Sequence, residues 1–341
     1  MAFFRGGMPN QAFEYKMTNA ISELTLAERP KVALYAKSET PPMNMMMQRQ
    51  RPQGTTYNKV KEILKGRYKV EEIELVEGQM VPEDAALLVM IRPKELDEMQ
   101  QLAVDQFLVK GGKAIFFVDE NPFGLAQSQQ YKRGEFKSGL KEMLMTYGVD
   151  LRAELVADLA SFQRRQVQIP GSWMPQLIPY YYYVTIKNTD WSQVPGLKEQ
   201  FPAAATARNG MSQEFPAVKQ LDGITFLWTG PVYPREKMPE GVSAQVLLRS
   251  SPVALTEKVP DSIHPGYRME QVREFIGKFS QRLKTEEASQ VPLAVKADGV
   301  FTSWFKDRSL PEPPAEEEDE DNPETAEPGH DHDHGQDEDQ D

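Results

Sequence analysis

Apolar residues in the first half of the chain alternate between two rhythms. Lys31–Tyr35 (KVALY) is a short run of strand formers behind the breaker Pro30. Tyr57, Val60, Ile63 and Leu64 then recur at helical spacing up to Gly66, and residues 68–75 alternate into a second strand. Residues 85–91 (AALLVMI) are apolar throughout, the pattern of a strand covered on both faces in a parallel sheet. Pro93 opens the next helical stretch, in which Leu96, Met99, Ala103 and Phe107 share a face. Gly111-Gly112 stops it, and residues 114–118 (AIFFV) supply another buried strand. A further helix carries Phe136, Leu140, Met143, Leu144 and Tyr147 on one stripe, closed by Gly148. This order predicts an α/β fold, a mainly parallel sheet with helices on both faces and the strand C-termini along one edge.

After Asp150 the rhythm changes. Residues 151–158 hold one more strand, and a Pro- and aromatic-rich stretch ends in Tyr180–Tyr183, whose alternate rings would face core and solvent. Short strands follow at 224–228, 246–248 and 291–295. Val272, Phe275, Ile276 and Phe279 line one face of a charged helix at 269–283, and 301–305 form an apolar anchor. The expected organisation is a lead-in at 1–27, an α/β sandwich at 28–160, a smaller mixed α+β portion at 161–310 and a disordered acidic tail at 311–341.

Composition changes this picture in three ways. With no Cys among 341 residues, disulfide scaffolds, thiolate zinc sites and a cysteine nucleophile are excluded. The net charge of −12 is local: 14 of the 51 acids follow Ala315, leaving 37 acids against 39 bases in the body. A nearly neutral body without a basic stripe argues against nucleic acid as a partner. No stretch has the roughly 18–20 apolar residues of a membrane span, and the start lacks a signal-peptide core, so the chain reads as soluble.

Candidate chemistry concentrates at the loops beyond the strand C-termini, where sheets of this kind bind ligands. None carries a phosphate-binding signature: Gly111-Gly112 ends a helix before a strand, the reverse of the order a dinucleotide fingerprint needs. Asp119 and Glu120 could hold a metal or act as acid and base in a hydrolase or transferase. The simpler reading of Asp119-Glu120-Asn121-Pro122 is a turn. His264 lies in a Pro/Gly loop without a catalytic partner, and no nucleophile elbow is present. In the tail, His330, His332 and His334 alternate with Asp331 and Asp333, a pattern for weak Zn²⁺ or Ni²⁺ binding. No other cofactor is expected. Met43, Met45, Met46 and Met47 form a soft contact loop.

Several fragments, in order, resemble one family. They are residues 14–21 (EYKMTNAI), 28–34 (ERPKVAL), 85–92, 105–119 (DQFLVKGGKAIFFVD), 147–149 (YGV), 155–158 (LVAD), 247–252 (LLRSSP) and 292–295 (PLAV). Together they look like the GldG-like auxiliary component of ABC-type transport systems, first named for gliding motility. The resemblance implies a non-enzymatic, extracytoplasmic domain tethered at the inner membrane, working with an ABC permease and ATPase. It also implies a sheet similar to the class I glutamine amidotransferase-like, flavodoxin-like fold, whose enzymes use a cysteine that this chain lacks. Partner- or ligand-binding residues are then expected at Ser38, Glu39, Thr40, Met45, Met46, Arg92, Asp119, Glu120 and Asn121. Family members carry a Gly/His-containing turn where this chain has residues 36–40 (AKSET), and they have flanking membrane helices. The chain is therefore expected to be an excised or truncated portion of a longer membrane protein.

Overall fold

The structure is a computed structural model that describes residues 17, 21, 28–37, 57–76, 78–121, 123–125, 131–134, 137–167, 173–259, 262–263, 277–279, 281–282 and 289–311. Its centre is a four-stranded sheet in the order β2-β1-β3-β4, formed by β1 (Lys31–Tyr35), β2 (Lys69–Glu72), β3 (Leu87–Ile91) and β4 (Ala114–Phe117). All three pairings are parallel. β1 and β3 lie centrally, so both their faces must be covered, and their unbroken apolar runs meet that demand. Val32, Leu34, Val89 and Ile91 point to one face, against Tyr57 and Leu64 of the α1 (Asn58–Lys65) region. Ala33, Tyr35, Leu88 and Met90 point to the other. That second face is covered by Ala103, Val104, Phe107 and Leu108 of α2 (Glu98–Val109) and by Met143 and Leu144 of α3 (Lys141–Thr146).

Helix ends follow local chemistry. Pro93 does not start α2: Asp97 is the N-cap, its side chain accepting from the Gln100 N–H while the Gln100 side chain accepts from the Asp97 N–H. This reciprocal box outweighs the proline, and Glu95 is held in a left-handed conformation just before it (φ 45°). At the other end Gly112 N–H donates to the Phe107 carbonyl and Gly111 N–H to that of Leu108. That is a Schellman closure, with Gly111 at φ 94°.

Beyond α3 the strands are antiparallel and their sheets small. β5 (Phe123–Leu125) and β6 (Tyr131–Arg133) pair with each other, and β6 with β15 (Ser262–Ile263). The single strand expected at 151–158 is two, β7 (Val149–Leu151) and β8 (Glu154–Asp158), separated at Arg152 and Ala153. β7 pairs with β12 (Val232–Pro234), and β8 with β14 (Ala254–Lys258). β9 (Phe162–Val167), β10 (Gln176–Lys187) and β11 (Gly223–Leu227) form a three-stranded sheet. β13 (Val242–Arg249) pairs with β16 (Pro292–Gly299).

The tyrosine run sits inside β10. Tyr180 and Tyr182 are buried as the alternation predicts, but Tyr181 and Tyr183 are also partly covered, by Phe162 and Trp228. Phe301 and Trp304 pack on the parallel-sheet core, and Phe305 is buried. Of the charged helix expected at 269–283, the described residues include buried Phe279. The fold is thus mixed α/β, with one parallel sheet and several small antiparallel ones. The tail lies outside the described residues.

Candidate functional site

The rim where the parallel strands end gathers four of the residues singled out by sequence. Arg92 follows β3 directly; its N–H donates to the Phe117 carbonyl, prolonging the β3–β4 ladder, and its backbone then turns left-handed (φ 47°). Non-glycine residues adopt this conformation at a cost, and Leu75 after β2 (φ 58°) and Glu95 (φ 45°) share it. All three positions follow within four residues of the C-terminus of β2 or β3.

Arg92 and Asp119 form an ion pair, Nε to Oδ2 at 3.2 Å, both about three-quarters buried. The other Asp119 oxygen accepts from the Asn121 N–H at 3.1 Å, an Asx turn. The Asn121 side chain, 2% exposed, donates to the Glu154 carbonyl at 3.0 Å and so ties the rim to β8. Gly230 makes room beside it, since a Cβ there would meet the Arg152 carbonyl at 2.8 Å. Burial pushes the Asp119 carboxyl above the ordinary carboxylate range; Arg92 and the Asn121 N–H pull it back only in part.

Glu120 turns to a different partner, accepting from the Ser138 hydroxyl, which in turn accepts from the Leu140 N–H at 3.0 Å. The 137–140 loop is pressed onto the start of α2: Glu95 N–H donates to the Lys137 carbonyl and Leu96 N–H to that of Ser138. Only glycine fits at 139, where φ is 81° and a Cβ would lie 2.8 Å from the Leu96 backbone. Over the described residues 119–121 both carboxylates have structural partners, Asp119 in Arg92 and Asn121 and Glu120 in Ser138. Among the described residues no group of three His, Cys, Asp or Glu could hold a metal ion. Ser38, Glu39, Thr40, Met45 and Met46, His264, and the tail's His330, His332 and His334 lie outside the described residues.

Two buried aspartates escaped the sequence reading. Asp105, 0% exposed, accepts from the Tyr147 hydroxyl, the Ser303 hydroxyl at 2.7 Å and the Trp304 N–H at 2.6 Å. Burial and this carboxylate hold the Tyr147 phenol protonated, far above its usual range. Asp158, also 0% exposed, accepts from the N–H groups of Ala160, Ser161 and Ser251 and from the Ser251 hydroxyl. Burial raises its carboxyl and those four donors counteract the rise. An acid inside the apolar arc of α2, between Val104 and Phe107, was the available signal for Asp105. These networks join fragments that carry the family resemblance: 105 to 147, and 158 to 251.

The comparisons agree with that resemblance. A family model described as ABC-type uncharacterized transport system matches residues 29–330. No curated protein matches the chain. No solved structure matches it either. Among the described residues no helix is long and apolar enough to cross a membrane.

Proposed function

Because the chain belongs to this family of ABC-type transport system auxiliary components, we propose that it is a non-enzymatic docking domain of such a system. In this reading it is held at the extracytoplasmic face of the inner membrane in the full-length protein. There it engages the permease, and through it the ATPase, or a transported envelope substrate. The observation that carries the reading is the Arg92–Asp119 pair on a strained rim, a charged, part-buried contact whose carboxylates are engaged structurally. A part-buried charge pair is a contact through which a charged peptide or ligand can be selected by complementarity. Arg92 is the cationic and Asp119 the anionic half of this contact.

Co-purification tests this directly. The full chain should associate with the permease–ATPase pair of an ABC-type transport system from the same cell and change transport or ATP turnover. Arg92→Glu should weaken that association at least about tenfold, the loss of one desolvated charge contact at an interface. No association, or association indifferent to Arg92→Glu and Asp119→Ala alike, removes the rim from the proposal.

A further inference from the structure

Trp173, Met174 and Leu177 are 90%, 58% and 66% exposed, on the stretch that leads into and begins β10. Among the described residues, over this part β10 pairs with β9 alone, from Gln176↔Val167 to Tyr180↔Gln163; β11 joins from Tyr183 onward. The arm is therefore two strands wide, and Pro179 is tolerated in it because the ladder there is one-sided. Its inner side is packed, Ile178 and Tyr180 each being 2% exposed. The outer side presents large apolar groups to solvent. Of the four tryptophans, Trp173 is the exposed one.

A second feature coincides with this surface. The chain carries 51 acids in 341 residues, yet residues 159–189 contain no Asp or Glu while holding Arg164, Arg165 and Lys187. Arg164 is exposed and lies across the ladder from Pro179. A stretch of that length would ordinarily hold several acids, and here its charged side chains are all cationic. An exposed Trp beside the exposed Arg164, on a stretch of chain without acids, is complementary to anionic lipid headgroups. Indole rings settle at the headgroup level, neighbouring apolar side chains enter the acyl boundary, and arginines meet the phosphates. The net charge of −12 does not describe this surface, since the body before the tail is close to neutral.

We infer that the β9–β10 arm is a membrane-contact element: Trp173, Met174 and Leu177 insert at the surface of an anionic bilayer, and Arg164 pairs with lipid phosphate. This goes beyond the docking rim, uses other strands, and stands or falls independently of it. The full chain, mixed with phosphatidylcholine vesicles with and without phosphatidylglycerol, provides the test. Binding is expected only with phosphatidylglycerol and should weaken with salt. Brominated lipid should quench the Trp173 fluorescence. The double variant Trp173→Ala/Met174→Ala should lose both sedimentation and quenching with an unchanged circular dichroism spectrum. Arg164→Glu should lower binding by roughly fivefold or more, as expected for a cation near an anionic surface. Absence of binding, or binding that persists in the double variant, overturns the inference. So does arm-dependent capture by the permease in detergent without any vesicle binding, which would assign the arm to a protein partner.

Discussion

The parallel sheet and the antiparallel part of this molecule solve the same burial problem by different means. In the parallel sheet, Val32, Ala33, Leu34, Leu88, Val89 and Met90 are at most 5% exposed, and helices supply the cover on each side. The central strands themselves bury apolar side chains, and the buried acid of this part, Asp105, lies on the covering helix α2. Among the described residues the antiparallel sheets are two or three strands wide, too small to make an extended apolar layer of their own. They are joined by buried polar groups. Asp158 at the end of β8 holds the 160–161 turn and the Ser251 turn together. Ser161 reaches the Thr185 carbonyl in β10 at 2.6 Å, and Ser250 and Val291 bond to each other twice. Hydrogen bonds are directional where apolar contacts are not, so such a junction fixes how small sheets meet.

The largest effect should therefore come from the antiparallel junction. Asp158→Ala orphans three buried donors and a part-buried one, each buried one worth on the order of 1–3 kcal/mol, for an expected loss of about 4 kcal/mol in denaturant unfolding. In the parallel sheet, Leu88→Ala should cost somewhat less, about 3 kcal/mol. Leu88 is 0% exposed and sits in register between Ala33 and Ala114, so no neighbouring strand residue is large enough to fill the cavity. If Leu88→Ala proves clearly the costlier of the two, the polar junction is ornamental and the comparison fails.

What could be read from sequence follows the same division. The β3 run LLVMI and the Gly111-Gly112 closure announce themselves locally, because an apolar run or a positive-φ glycine has one common meaning. β9 (FQRRQV) has no such meaning by itself. It is a strand because β10 pairs with it, and that pairing depends on Ile178 and Tyr180 finding the core. At the rim, sequence placed Arg92, Asp119, Glu120 and Asn121 at strand ends but not in contact. The ion pair needs the left-handed turn at Arg92, which an arginine does not advertise. The Glu120–Ser138 contact needs a loop docked through Gly139, eighteen residues further along. Long-range contacts set by loop docking leave no periodic trace.

The smallest effect is the most diagnostic for the rim. Asp119 is subject to two opposed influences, burial that favours its neutral form and Arg92 that favours its charged form, and burial prevails. A carboxyl raised in the folded state binds its proton more tightly there than in the unfolded chain. Stability should then fall as pH rises from about 3.9, the ordinary value, through the higher folded value, and level off above it. Asp119→Asn cannot titrate, so the unfolding free energy of wild type minus variant should decline across that window and be flat beyond. Denaturant midpoints measured at closely spaced pH values give this difference. A rise instead of a decline would mean that the guanidinium outweighs burial, making the pair a fixed brace of the β3–β4 rim. A decline means that the folded protein pays to keep Asp119 charged beside Arg92, the condition under which an incoming partner gains by replacing either member.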